Sequence, residues 1–190
     1  MVMQFVKTHQ RIAEHGRAIS LLPAILDLTY EPAVKMILYA FGSGKKLLTC
    51  GNGGSHAQAS HLATELTVRF ETDRRALPAI CVSGDATALT ATGNDYGYHR
   101  TLSRQVEALG TAGDVLVAFS TSGLSKNVFE AITTARQAGM GVIGISGYKG
   151  MKGQCDIDII CPGESTAIIQ ELHLLVVHLL MEGIEGGIPS

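Results

Sequence analysis

His61 and Glu65 stand four residues apart in "SHAQASHLATELTVRF". On a helix that spacing puts both on one face. An imidazole and a carboxylate so placed can hold a metal ion, or serve as acid and base for a proton transfer. Such a pair is by itself more often a surface hydrogen bond. Its weight comes from the segment just before it, "CGNGGSH", where glycines permit positive φ and close backbone approach at the end of an apolar run. The segment is not a dinucleotide fingerprint, because the last glycine of GxGxxG would fall on His56.

A second loop, "FSTSGLSKN", carries Ser120, Thr121, Ser122 and Ser125. One hydroxyl is enough to cap a helix. Four of them beside the free N–H groups of a helix start make a site for a dianion. No GKS or GKT follows, so a triphosphate loop is excluded, and a monophosphate on a sugar fits the pattern. The last apolar segment, "STAIIQELHLLVVHLLMEGIE", holds Gln170, His173 and His178, polar groups that need partners if buried. At about 100° per residue Gln170 and His173 diverge by about 60°, Gln170 and His178 by about 80°, and the two histidines by about 140°. The histidines are therefore not expected to share a site, and projection alone pairs Gln170 with His173. His61, Glu65, one C-terminal histidine and an amide oxygen form a plausible zinc set.

The elements that must position these groups alternate. Apolar runs at "KKLLTC", "LPAICVSG", "GDVLVAFS", "GVIGISG" and "CDIDIICPG" read as strands, with helical segments between most of them. Strands apolar throughout and alternating with helices predict an α/β fold, a parallel sheet covered on both faces. Ligands then gather at the carboxyl ends of strands, where both loops fall. Phe5, Ile12 and Ile19 mark an amphipathic helix that Pro23 is expected to interrupt. A second helix is expected from Glu31-Pro32 to Gly42–Gly44, and the tail "GIEGGIPS" is expected to fray. The chain is read as one domain, with residues 1–44 as a helical segment and 45–185 as the core.

The 190 residues are 46% hydrophobic and only 17% charged, which points to apolar surface buried between subunits. Net charge is −2 with no basic block, giving no argument for nucleic acid. Cys50, Cys81, Cys155 and Cys161 form no CxxC and read as buried free thiols of a reducing compartment. The first residues lack a signal-peptide core, and apolar stretches are read as too short for a membrane span. A cytoplasmic protein without membrane partner is the expectation.

The segments "CGNGGSH", "HLATELTVRF", "GND", "GDVLVAFSTSG" and "IIQELHLLVVH" together resemble the sugar isomerase (SIS) domain family, and within it the phosphoheptose isomerases. The resemblance runs over almost the whole chain. It implies a three-layer fold with a five-stranded parallel sheet, and a homotetramer with active sites at subunit interfaces. It implies aldose–ketose isomerisation of sedoheptulose 7-phosphate to D-glycero-D-manno-heptose 7-phosphate through an enediol, with the product feeding lipopolysaccharide, capsule or natural-product synthesis. Substrate contacts are implied for Asn52, Gly53, Gly54, Ser55, His61, Glu65, Asn94, Asp95, Ser120, Thr121, Ser122, Ser125 and Gln170. Zinc is implied on His61, Glu65, Gln170 and His178, with Glu65 and His178 as base and acid. The resemblance thus selects His178 where projection selected His173. Two positions depart from the family pattern: Ile168 stands where Arg is common, and Leu124 where Asn is common. Both bear on the exact substrate. A non-catalytic relative that binds the replication initiator shares segments like residues 69–80 but replaces the carboxylate and last histidine, which this chain keeps. A sugar-phosphate-sensing regulator would carry a DNA-binding domain, and this chain shows none.

Overall fold

The computed structural model describes residues 5–188. The chain alternates as expected: α1 (Phe5–Gly42), β1 (Leu47–Cys50), α2 (Gly54–Thr67), β2 (Ala79–Cys81), α3 (Ala86–Tyr96), a 3-10 turn (Tyr98–Arg100), α4 (Ser103–Leu109), β3 (Val115–Ser120), α5 (Lys126–Gln137), β4 (Gly141–Ser146), β5 (Ile157–Ile160) and α6 (Thr166–Gly187). The sheet has five strands in the order β2-β1-β3-β4-β5, every neighbour parallel.

Alternation along the strands divides the core. Leu47, Val115, Val117, Phe119, Ile143 and Ile145 face α1, α2 and α6. Leu48, Cys50, Leu116, Ala118 and Val142 face the layer that contains α4 and α5. The strand order reverses between β1 and β3, where one connection leaves for each side. An open α/β sheet binds ligands in the crevice outside the carboxyl ends at such a point. The loop after β1 and the turn after β3 are therefore neighbours.

Three expectations about the helices change. Pro23 and Pro32 lie inside one continuous 38-residue helix. Each proline removes a backbone donor and crowds the preceding turn. Packing holds the helix through both, because Ala18, Leu22, Ala33, Val34, Ile37 and Phe41 all enter the core. The tail does not fray at Gly183, because α6 runs through Gly187. Its glycines are where α1 crosses: a Cβ at Gly183 would strike Tyr30, and one at Gly187 would strike Leu38. The Tyr30 hydroxyl donates to the Leu179 carbonyl at 2.9 Å. Finally, α6 is long and apolar enough to cross a membrane by length and composition, against the sequence expectation. It serves as a core helix, packed on α1 and α2 with Leu172, Val176, Val177 and Leu180 fully buried.

All four cysteines are free thiols. Cys50 and Cys161 are buried, whereas Cys81 and Cys155 are partly exposed, since each lies at the edge of its core layer. Burial pushes the Cys161 thiol up to about 12, so it stays protonated.

Candidate active site at the carboxyl ends of β1 and β3

The glycine loop approaches two neighbours. Gly53 has φ +54°, the left-handed region that favours glycine. A Cβ at Gly54 would overlap the amide of Gln170 on α6. On the other side, Asn52 forms a reciprocal amide pair with Asn127 of α5. Each Nδ2 donates to the other's Oδ1 at 2.8 Å. Asn52 Oδ1 also accepts from the Tyr98 hydroxyl at 3.0 Å. The Asn52 side chain thus ties the loop to α5 and to the turn after α3. Ser55 is buried in the first turn of α2, its N–H donating to the Asn52 carbonyl at 3.0 Å.

The serine turn is built around its own backbone. Ser120 is buried at the end of β3, and its Oγ accepts from the Gly123 N–H at 3.1 Å and lies 3.3 Å from Ser125 Oγ. Ser122 Oγ accepts from the Leu124 N–H at 3.2 Å. Ser125 occupies the N-cap position of α5 but makes no capping hydrogen bond with its side chain. Its hydroxyl and the first N–H groups of α5 are therefore available to an anion. Gly123 sits at φ +60° against the Gly150 carbonyl, with no room for a Cβ. The loop after β4 thus backs the turn.

His61, Glu65 and His178 come together further along α2 and α6. His61 Nε2 lies 3.1 Å from Glu65 Oε1 and 3.4 Å from His178 Nε2. The second distance is long for an N–H···N hydrogen bond. Glu65 keeps 21% of its side chain exposed, so it is reachable from solvent. Among the described residues no three His, Cys, Asp or Glu side chains close around one point, and His61 Nε2 is the hub of an open triangle. The Phe70 ring stacks on His178, centroids 5.6 Å apart and planes 25° off parallel.

Gln170 is not with this trio. Its amide lies against Gly54 and its carbonyl accepts from Gln58 Nε2 at 3.3 Å. Gln170 meets the start of α2 while His178 meets its middle, so the two helices run parallel, and about 12 Å of α6 separates the two side chains. His173 is not with the trio either. It is wholly buried beside Phe119, ring centroids 5.9 Å apart, and neither ring nitrogen has a hydrogen-bond partner. Burial pushes its pKa down to about 4, partly offset by the nearby Ser146 backbone, and it stays neutral. Asn94 and Asp95 remain exposed on α3, with Asn94 Nδ2 donating to Asp95 Oδ1 at 2.8 Å.

Sequence reasoning missed Asn127, Tyr98, His56 and Ser83. The last two face each other, His56 Nδ1 2.7 Å from Ser83 Oγ, in a cleft that also touches Asn52 and Tyr98. His56 and His61 project about 140° apart on α2, so the cleft and the trio use different faces of that helix. Asn127 carried one available signal, a polar residue beside Val128 and Ala131 on the buried face of α5.

The sequence pattern of the SIS domain matches residues 24–147. A phosphoheptose isomerase of Campylobacter concisus is 43% identical over 188 residues, 97% of this chain and 95% of its own length. One from Aliarcobacter butzleri is 44% identical over 174 residues, 90% of this chain and 92% of its own. The solved structure of a phosphoheptose isomerase from Neisseria gonorrhoeae superposes with a TM-score of 0.88 at 39% identity, covering 95% of this chain and 97% of that one.

Proposed function

This chain belongs to the SIS domain family, and on that premise we propose that it interconverts sedoheptulose 7-phosphate and D-glycero-D-manno-heptose 7-phosphate. The observation that carries this is the convergence of His61, Glu65 and His178 along the helix that leaves the glycine loop, with a serine turn at the neighbouring strand end.

In this reading the phosphate occupies the Ser120–Ser125 turn and the start of α5. The sugar chain runs past Asn52–Ser55 and Gln170 towards the trio. Glu65 takes the proton from C1 of the ketose, the C1–H electrons form the C1–C2 double bond of an enediol, and the same proton is delivered to C2. His178 moves the hydroxyl proton between O2 and O1. Serine hydroxyls far from the reacting carbons orient them through binding energy.

Two imidazoles and a carboxylate are the donor types that hold zinc. His61, Glu65 and His178 would be the residues to hold it, and as placed in the single chain they do not close around one point. His61 Nε2 is the atom nearest both other donors, 3.1 Å from Glu65 Oε1 and 3.4 Å from His178 Nε2. Gln170 is the fourth ligand that the family resemblance implies. Its amide lies against Gly54 in the single chain, so joining the other three would require it to turn away from that loop or to come from a second subunit. Bound there, the ion would supply positive charge for the developing oxyanion. The second carboxylate oxygen leaves Glu65 able to accept a proton, whereas His178 Nε2 on the ion would have no lone pair left, so for His178 holding zinc and moving the hydroxyl proton are alternative roles.

Purified protein assayed with sedoheptulose 7-phosphate should form the aldose. Thorough chelation should abolish turnover, and stoichiometric zinc should restore it. Full turnover from protein shown to hold no metal would remove the zinc from this reading. Absence of any product would remove the substrate assignment.

The assembled form is a homotetramer. Ile12 and Leu28 on α1 are 65% and 79% exposed in the single chain, large apolar side chains on a helix whose other face is core. Light scattering at micromolar concentration should give four chains per particle, and a stable monomer would refute this.

A further inference from the structure

Beyond the trio, the most heavily hydrogen-bonded carboxylate of the described residues belongs to none of the groups above. Glu185, near the end of α6, receives five hydrogen bonds. Its Oε1 accepts from the Phe70 N–H at 3.2 Å and Arg74 Nε at 3.0 Å. Its Oε2 accepts from the Glu71 N–H at 3.2 Å, the Thr72 N–H at 3.0 Å and the Thr72 hydroxyl at 3.0 Å. Burial alone pushes this carboxyl up. The bonds from Thr72, Phe70 and Glu71 together outweigh it and hold the group below the usual carboxylate range.

Arg74 spends the rest of its guanidinium on the end of α2. Nη2 donates to the Glu65 carbonyl at 2.6 Å, and Nη1 donates to the Leu66 carbonyl at 3.0 Å and to the Arg75 carbonyl at 3.1 Å. Both side chains of the pair are only 6% exposed. A buried ion pair of this kind is a weak source of net stability, because desolvation offsets most of the attraction. What it fixes well is geometry. One end grips the backbone of Glu65. The other grips the N–H of Phe70, whose ring lies on His178. His178 and Glu185 are seven residues apart, within about 20° on one face of α6. The clamp and the trio therefore share one seam between the two parallel helices.

We propose that Arg74 and Glu185 are positioning residues for the reaction, setting the Glu65 backbone and, through Phe70, the plane of the His178 ring. The assignment of a reacting role to Glu65 and His178 rests on the function proposed above; the positioning of the ring does not. Glu185→Ala should release the 70–72 backbone and let the Phe70 ring leave His178.

The test is carried out on the whole protein as purified, with histidine rings labelled with carbon-13. The His178 ring signal, assigned with His178→Gln, should move in Glu185→Ala and Arg74→Met in the direction given by Phe70→Leu, which removes the aromatic ring itself. A control removes an ion pair at the opposite end of the sheet. Asp114, whose side chain is 1% exposed, pairs with Lys46 Nζ at 2.6 Å ahead of β1 and β3. Asp114→Asn should lower stability without moving that signal. In turnover, Glu185→Ala should lose up to about 10²-fold in kcat, the cost of roughly an ångström of misplacement, while KM changes by less than about threefold. Glu185→Gln keeps one acceptor oxygen and should fall between wild type and Ala. It also serves as the reading if Glu185→Ala does not fold. A His178 signal unmoved in folded Glu185 and Arg74 variants, or moved equally by Asp114→Asn, overturns the proposal. A wild type inactive on sedoheptulose 7-phosphate whose ring signal still follows Glu185 refutes the substrate assignment and supports the clamp.

Discussion

Glu65→Gln should leave the fold intact and cost at least about 10²-fold in kcat, the usual contribution of a positioned general base. The amide keeps the carboxylate's shape and can still meet His61, at 3.1 Å in the native protein. The Arg74 contact is to the backbone carbonyl of Glu65 and survives the change. What disappears is the proton acceptor. The substitution also weakens a metal site, so turnover is measured at saturating zinc with occupancy checked. Exchange of the C1 proton in heavy water isolates the step. Glu65→Gln, folded and loaded, should lose exchange together with turnover. Ser122→Ala in the phosphate turn should chiefly raise KM and keep exchange in saturating substrate. If Glu65→Gln exchanges the proton at the wild-type rate, the base is His178 or another group.

Much of this site is legible in the amino-acid sequence alone, for a physical reason. A parallel strand is buried on both faces and so is apolar throughout, which makes runs such as "VLVAFS" stand out. The two loops follow two of these strands, so their glycines and hydroxyls stand out in the sequence, although Ser120 and Ser122 also accept backbone hydrogen bonds within their own turn. The continuity of α1 is hidden, because Pro23 and Pro32 are local helix breakers and only the tertiary contacts of Leu22, Ala33 and Ile37 overrule them. The histidine choice is also beyond a single-helix projection. That projection correctly separates His173 from His178, but it pairs Gln170 with His173 because it knows nothing of α2. With α2 lying parallel to α6, Gln170 faces Gly54 and His178 faces His61, and which α6 histidine meets His61 is decided by the partner helix. Contacts distant in sequence, such as Asn52 with Asn127 and Phe70 with Glu185, leave almost no trace in local pattern.

The histidine left out of the site should dominate the stability of the chain in mild acid. His173 is wholly buried against Phe119 with no hydrogen-bond partner, and its pKa is held down to about 4 from an ordinary 6.5. Above pH 6.5 the ring is neutral in both the folded and the unfolded chain, and it adds no pH dependence. As pH falls below 6.5 the unfolded chain takes up a proton that the folded one refuses, so folding stability declines until about pH 4. The gap from 6.5 to about 4 corresponds to about 3 kcal/mol, at 1.36 kcal/mol for each pH unit. Glu185 and Asp114, both held below the usual carboxylate range, contribute their own losses only at lower pH. His173→Leu removes the titrating group and keeps an apolar side chain against Phe119. Denaturant unfolding from pH 7 to pH 4.5, at fixed protein concentration because self-association would couple stability to it, should show a steep decline for wild type and a flatter one for His173→Leu. At pH 5 the variant should recover most of what wild type has lost. Equal slopes for the two proteins would mean that His173 accepts its proton in the folded state. The nearby Ser146 backbone, which already favours the charged ring, would then have to outweigh the cost of burial.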